Sequence, residues 1–306
     1  MLYINHACRS PQSQIITMNY SSSFYRLLKT VGSSSLSFGN VFHGPSIGML
    51  KQYHNIPCPN IEDESEAEPF SLIMTDKVRR NLVFDRWRNS IFDRKELGPG
   101  MVLFKNYLTH MGQVDIVNIC QKWAMGPGGF YHPSNRSGAK LRLHMMCFGR
   151  LWDPVTKYEK SYRSDGSAPP PLPYEFISLA ENAIQDAQVH GLPSMLPDIC
   201  VANLYSIYDR LGLHQDCDEH VGGLDRGLPV VSISIGNSAE FLYGHTRDEN
   251  TLEKVLLESG DVLIFGGKSR LIFHGVKKIL SDSGPSQLFQ ETLLKGGRLN
   301  LTLKHH

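Results

Sequence analysis

From about residue 199 to the last residue, apolar positions recur every second place. "ICVANLYSIY", "PVVSISIG", "EFLYG", "GDVLIFGG", "SRLIFHGV" and "RLNLTLK" are short alternating runs with turn residues between them, and each predicts a β-strand. Before residue 199 the period lengthens. Val78, Leu82, Val83, Trp87 and Ile91 recur at near-helical spacing, and Arg79, Arg80, Arg86, Arg88, Arg94 and Lys95 cover much of the rest. The spacing predicts an amphipathic helix over 76–95 whose basic face is either solvated or touches nucleic acid. Two further helices are predicted over 113–126 and 174–191, each closed by a glycine. "LGPGMVLFKNYL" opens on a Gly/Pro turn and continues as an apolar strand, while 126–138 and 165–176 are irregular stretches rich in Gly, Pro and Asn. Helices first and many short strands afterwards predict an α+β domain with an all-β sandwich or barrel at its heart.

Length and charge divide this picture into parts. The chain has 306 residues, enough for one large domain with appendages. Its formal net charge is +1, but residues 1–51 are Ser-rich and hold Arg9, Arg26, Lys29 and Lys51 with no acid, which leaves the remainder at −3. An acid-free, Ser-rich leader has the composition of an organelle transit segment, so residues 1–60 are expected to be a disordered tail addressed to a mitochondrion or chloroplast; the alternative is a tail without an address on a cytoplasmic or nuclear protein. Residues 61–96 are expected to be an acidic linker ("EDESEAE") and the basic helix, and 97–306 the main domain. A body at −3 argues against a broad electrostatic clamp for duplex DNA. Six scattered cysteines with no CxxC fit a reducing compartment. No apolar run approaches the roughly 18 residues of a membrane span.

"LHQDCDEH" concentrates the candidate chemistry. It reads as a metal site, a paired-carboxylate acid/base site or a polar turn. On an extended segment His214 and Asp216 face the same way and can grip one ion together. His274, before Gly275 at the end of an apolar run, is a candidate third ligand. Two histidines and a carboxylate form the facial triad of non-haem iron sites, and zinc accepts the same set. In "RLNLTLK", Arg298, Asn300, Thr302 and Lys304 share one face and three leucines the other. The polar face either meets water or turns inward, where a guanidinium holds a dicarboxylate through two parallel hydrogen bonds. Asn203 and Tyr205 are likewise two apart and offer hydrogen bonds to the same acid.

"NLYSIYDRLGLHQDCDE", "PVVSISIG", "LLESGDVLIFGGKSRLIFHGV" and "GGRLNLTLK" together resemble the catalytic core of the AlkB family of Fe(II)/2-oxoglutarate dioxygenases. The likeness covers 199–306 closely and extends loosely back to about 97. It implies a double-stranded β-helix (jelly-roll) core with flanking N-terminal helices, and oxidative demethylation of N-alkylated bases with Fe(II), 2-oxoglutarate and O₂. The products are formaldehyde, succinate and CO₂. By motif, His214, Asp216 and His274 resemble the iron ligands, Asn203, Tyr205, Arg298, Asn300 and Thr302 the 2-oxoglutarate contacts, and Asp218 a position near the base. Position 304 is usually a second arginine that grips the far end of 2-oxoglutarate; Lys304 lacks its fork, which implies weaker cosubstrate binding. The chain also ends two residues later, where family members often continue. "HMMCFGRLWDPV" lies where the family places its substrate lid, so Phe130, Tyr131, Phe148 and Trp152 are candidates for stacking on a base, with burial in the core as the plain alternative. The implied partner is nucleic acid, DNA or RNA/tRNA, presented single-stranded or with a flipped base to a monomeric enzyme. A protein hydroxylase or demethylase of the same fold is one alternative. A catalytically weakened nucleic-acid-binding homologue is the other.

Overall fold

The computed structural model describes residues 85–187 and 191–306. The transit-like leader, the acidic run and residues 76–84 of the expected basic helix lie outside the described residues.

Eleven strands form among the described residues. They are β1 (Asp93–Gly98), β2 (Met101–Lys105), β3 (His144–Phe148), β4 (Ile199–Tyr205), β5 (Leu211–His214), β6 (Val230–Gly236), β7 (Ala239–Gly244), β8 (Glu253–Leu257), β9 (Val262–Phe265), β10 (Phe273–Ile279) and β11 (Arg298–Lys304). The helices are α1 (His110–Ala124), α2 (Tyr174–Asp186), α3 (Val221–Asp225) and α4 (Ser286–Glu291). Seven strands pair in the order β1-β2-β9-β6-β11-β4-β3, and four in the order β5-β10-β7-β8. Every strand pairing is antiparallel. Two facing antiparallel sheets with helices behind the larger one match the expected jelly-roll core.

Period-two alternation sorts the large sheet into two faces. Val102 and Phe104, Val231 and Ile233, Val262 and Ile264, and Leu299, Leu301 and Leu303 point outward and pack with Ile116 of α1 and Phe176, Leu179 and Ala183 of α2. Met101 and Leu103, Val201, and Leu263 and Phe265 point inward, toward Phe241 and Val276 of the small sheet. Burying each large aliphatic or aromatic side chain stabilises the fold by about 1.5–3 kcal/mol. The three β11 leucines thus fix the register that points Arg298, Asn300 and Lys304 inward. α1 opens on Thr109, whose hydroxyl accepts from the Gly112 amide at 3.0 Å.

Besides α2, which ends at Asp186 with Ala187 as its cap instead of running to Gly191, two expectations change. The expected helix over 76–95 does not reach its end: residues 85–87 are helical, then Arg88 bridges to Leu108 and Asp93–Gly98 forms β1. Trp87 is buried near Phe176, and Phe92 packs edge-on to Phe104 and Tyr107. These anchors hold the chain beside β2, whose open backbone edge outcompetes local helical preference, and the charges of β1 suit an exposed edge strand. The second change concerns His274. Residues 267–269 form a 3₁₀ turn, so His274 is the second residue of β10 rather than the end of a strand. No helix among the described residues is long and apolar enough to cross a membrane. Cys120, Cys147, Cys200 and Cys217 carry free thiols.

Candidate active site

Strand register brings the ligand candidates together. β10 pairs with β5 so that His274 lies directly opposite His214, with ring centroids 4.4 Å apart. Gly275 makes this approach possible, because a Cβ there would lie 2.7 Å from the Leu211 carbonyl oxygen. Each imidazole donates from Nδ1 to a backbone carbonyl two residues earlier, His214 to Gly212 at 2.9 Å and His274 to Ile272 at 3.2 Å. That fixes the tautomers and leaves both Nε2 atoms as lone-pair donors. One ligand atom from each of His214, Asp216 and His274 falls within 4.8 Å of the others.

Asp216 does not reach this position by strand alternation alone, since β5 ends at His214. A buried ring of charges holds it. The Lys304 ammonium lies 3.1 Å from Asp216 Oδ1 and also contacts Glu219 Oε1 at 2.5 Å. Glu219 Oε2 accepts from Arg270 at 2.9 Å, and the other Arg270 nitrogen donates to the Asp216 backbone carbonyl. The Glu219 side chain is fully buried. Asp216 Oδ2 is left facing His274 Nε2 at 3.7 Å. Burial alone would raise the Asp216 carboxyl, but the Lys304 ammonium and then the two histidines hold it well below the usual carboxylate range. Burial, reinforced by His214, pushes His274 down to about 4. The triad is therefore a carboxylate and a neutral imidazole at His274 near pH 7, the forms that ligate metal.

Arg298 sits six residues before Lys304 on the same face of β11, and its surroundings differ. It is 1% exposed. Its guanidinium donates to the Asn237 and Leu257 carbonyls at 3.0 and 3.2 Å and to Ser234 Oγ at 2.7 Å. No carboxylate pairs with it among the described residues, and its buried Nε has no hydrogen-bond partner. Burial lowers it to about 10, so it stays cationic at pH 7. Across the sheet Tyr205 is opposite Arg298 and Asn203 opposite Asn300. Asn300 donates to Ser232 Oγ at 2.9 Å and accepts from Thr302 Oγ1 at 3.1 Å. Arg298, Tyr205, Asn203, Asn300, Ser232 and Thr302 line one cavity of about 460 Å³ with the triad. A buried cation with a free donor, a row of neutral polar groups and a two-histidine, one-carboxylate set fit a metal ion beside a small dicarboxylate.

The structure separates the substrate candidates. Asp218 and Trp152 line the cavity, and Trp152 Nε1 donates to Asp218 Oδ2 at 2.9 Å. Lys157 holds the other Asp218 oxygen at 3.0 Å. Burial would raise the Asp218 carboxyl, but the Trp152 and Lys157 donors hold it below its usual value. Phe148 is a correction. It is fully buried behind the large sheet, edge-on to Phe176 with centroids 5.6 Å apart, and does not reach the cavity. β3 alternates like its neighbours, so Met145 faces the cavity and Phe148 faces away. Phe130 packs on the same helix-side core, and Tyr131 lies beneath the Arg163 guanidinium at 4.1 Å. Lys304 lines the cavity beside the triad, next to Asp216, with Arg298 six residues away on the same strand. Cys217 is exposed, outside the cavity lining. Sequence reasoning gave no role to Glu219, to Arg270 or to Tyr158, whose ring lines the cavity 5.6 Å from the Lys304 ammonium, although the first two lie inside the quoted motifs.

Comparison with known proteins agrees with this geometry. The profile of the 2OG-Fe(II) oxygenase superfamily matches residues 100–304. DNA N(6)-methyladenine demethylase ALKBH1C of Arabidopsis thaliana is 46% identical over 267 residues, covering 81% of this chain and 59% of that protein. Alpha-ketoglutarate-dependent dioxygenase AlkB of Salmonella typhimurium is 38% identical over 193 residues, covering 63% of this chain and 87% of that protein. The solved structure of OsALKBH1 superposes with a TM-score of 0.67 and 49% identity, covering 70% of this chain and 100% of that one. The chain thus spans under two thirds of the length of its plant relative.

Proposed function

The chain belongs to the AlkB family of the 2OG-Fe(II) oxygenase superfamily, and from that premise we propose that it oxidatively removes N-methyl groups from adenine in nucleic acid. Fe(II) with 2-oxoglutarate and O₂ supplies, when bound, the hydroxylation of the methyl carbon that releases it as formaldehyde, with succinate and CO₂ as the other products. His214, Asp216 and His274 would hold the metal, and Arg298, Tyr205, Asn203 and Asn300 the cosubstrate. One observation carries the reading: the unpaired buried cation of Arg298 shares a single cavity with the triad.

The chain's own groups do the rest. Lys304 and Arg270 orient Asp216 before any ligand arrives, so no rearrangement is needed at the ligand carboxylate. Asp218 accepts hydrogen bonds, and an adenine amino or methylamino N–H competes with the Trp152 indole for it. The Trp152 ring provides a face for the base. A base inside a duplex cannot enter this cavity, so the substrate is single-stranded or the base is flipped out. The plant relative's name, a DNA N(6)-methyladenine demethylase, supports N6-methyladenine as the first substrate to test.

The test is formaldehyde release from N6-methyladenine and 1-methyladenine oligonucleotides, of DNA and of RNA, with Fe(II) and 2-oxoglutarate. Release that vanishes in Asp216→Ala is the expected result; no succinate or formaldehyde from any oligonucleotide by metal-loaded protein overturns the reading. The acid-free, Ser-rich segment 1–51 supports delivery to a mitochondrion or plastid. Fusion of residues 1–60 to a fluorescent reporter tests it, and a diffuse cytosolic signal refutes it.

A further inference from the structure

Between Asp115 and Asp153 the chain holds no acid, but it holds Lys122, Arg136, Lys140, Arg142 and Arg150. Three of these five lie on one hairpin-like arm, 131–145, which leads into β3 at the edge of the large sheet. Its backbone is well defined. Tyr131 and Met145 exchange two hydrogen bonds at 2.9 and 2.8 Å, the Leu141 amide donates to Pro133 O at 2.9 Å, and the Asn135 amide to Ala139 O at 2.9 Å. At the tip, Asn135 Oδ1 accepts from the Ala139 amide and the Ser137 hydroxyl, and Gly138 takes φ +85°. At the base, Arg163 donates to the Gly128 and Gly129 carbonyls and covers Tyr131. The arm is built before any partner arrives.

Its two faces differ. Leu141, Leu143 and Met145 form part of the cavity wall. Alternation sends Lys140 and Arg142 to the opposite face, and both are exposed. Asn135 and Arg136, at the tip, line the cavity as well. Arg136 donates only to Pro154 O at 3.2 Å and Lys140 only to His132 O at 3.1 Å, both uncharged partners. None of Arg136, Lys140 and Arg142 is in an ion pair among the described residues. In the described part of the basic run, by contrast, Arg86 pairs with Asp115 and Arg88 with Asp186.

We infer that the 131–145 arm is the phosphate-gripping surface of this protein: a nucleic-acid strand crosses its tip, with Arg136 contacting a phosphate beside the base in the cavity and Lys140 and Arg142 contacting the phosphates beyond. This rests on the nucleobase reading above and adds where the strand lies. Un-neutralised cations on an acid-free arm at the rim of the cavity complement a polyanion, and the strand must pass the rim to deliver a base. It also gives a near-neutral chain a local cationic surface: three cations without ion pairs stand on one acid-free arm.

The experiment is fluorescence anisotropy with the full chain and a labelled single-stranded oligonucleotide across a salt series. It compares the triple variant Arg136→Ala, Lys140→Ala, Arg142→Ala with the control Arg94→Ala, Lys95→Ala, which removes exposed cations from β1 at the opposite edge of the same sheet. The arm variant should lose roughly tenfold or more in affinity, and its log–log salt slope should flatten by about 2 for three phosphate contacts. The control should change by less than about twofold, since isolated surface charges away from the contact contribute little. Arg136→Lys with Arg142→Lys should restore most of the binding, which separates charge from misfolding. Equal losses in the arm and control variants, or an unchanged arm variant, overturn the inference. So does competition by polyglutamate as strong as that by unlabelled oligonucleotide, which would mark an acidic-peptide surface. If wild type binds the strand through the arm but releases no formaldehyde, the demethylase reading fails and the arm stands. If it releases formaldehyde and the arm variant binds as well as wild type, the arm fails alone.

Discussion

The two ends of β11 each bury a cation, and they are held in opposite ways. Lys304 lies between two carboxylates, Asp216 and Glu219. Arg298 meets only carbonyls and a hydroxyl, and one of its donors is unused. A buried cation whose counter-ions belong to the protein is a brace. A buried cation without one is a binding site, because an arriving anion supplies the missing partner. Position on a motif does not distinguish the two; the surrounding acids do.

The largest effect should follow from removing the unpaired cation. Arg298→Met leaves the triad and its ring untouched, so metal affinity should stay within about threefold, as expected when distant sites are independent. Affinity for 2-oxoglutarate should fall by about 2–5 kcal/mol, the range for removing one partner of a buried charge pair. Titration of 2-oxoglutarate into metal-loaded protein reads it out. A loss of metal affinity as large as the loss of cosubstrate affinity would erase the difference between the two ends.

Removing the brace should do the reverse. Lys304→Met leaves Asp216 and Glu219 facing each other with Arg270 as the nearest remaining cation. Metal affinity should drop about 10–100-fold, as for other groups that orient a ligand. Equilibrium dialysis with Mn(II) measures this without turnover. Glu219→Gln, which keeps the cation and removes one of its two carboxylates, should lower metal affinity less than Lys304→Met does.

Asp218 tests a third arrangement, an acid clamped by donors at the cavity's open side. Asp218→Asn keeps the shape but weakens the Trp152 and Lys157 contacts. The KM for a methylated oligonucleotide should rise about three- to tenfold, the net worth of one ordinary hydrogen bond, since the asparagine keeps an acceptor oxygen. Metal and 2-oxoglutarate affinities should not move. A change confined to kcat would place Asp218 in the chemistry instead of at the base.

How much of this was legible in the sequence depends on how local each feature is. The inward face of β11 follows from alternation alone, and so do most of the strands after residue 199. The His214–His274 pair required a register across 60 positions, which only the motif resemblance supplied. Glu219 and Arg270 were in view but silent: a carboxylate after a strand usually meets water, and nothing in the sequence brings an arginine 51 positions away onto it. Phe148 failed for a local reason. Period two was not recognised in "HMMCF", so its aromatic was assigned to the cavity when the strand's alternation sends it behind the sheet. The first half of the arm, 131–138, read as an irregular loop because its pairing rests on isolated bridges, not a strand run.

The smallest effect should come from Lys304→Arg, and it is the sharpest test of the comparison. On sequence grounds an arginine at 304 would regain a fork for 2-oxoglutarate and tighten its binding. In the structure both oxygens that such a fork would reach belong to Asp216 and Glu219, and the group stands beside the triad. A guanidinium in that place satisfies the same two carboxylates, so metal affinity should stay within about threefold of wild type, and 2-oxoglutarate affinity with it. Paired titrations of Mn(II) and of 2-oxoglutarate decide the matter. A tenfold gain in 2-oxoglutarate affinity at constant metal affinity would show that position 304 reaches the cosubstrate after all, and that a buried cation enclosed by the protein's own acids can still exchange one of them for a ligand.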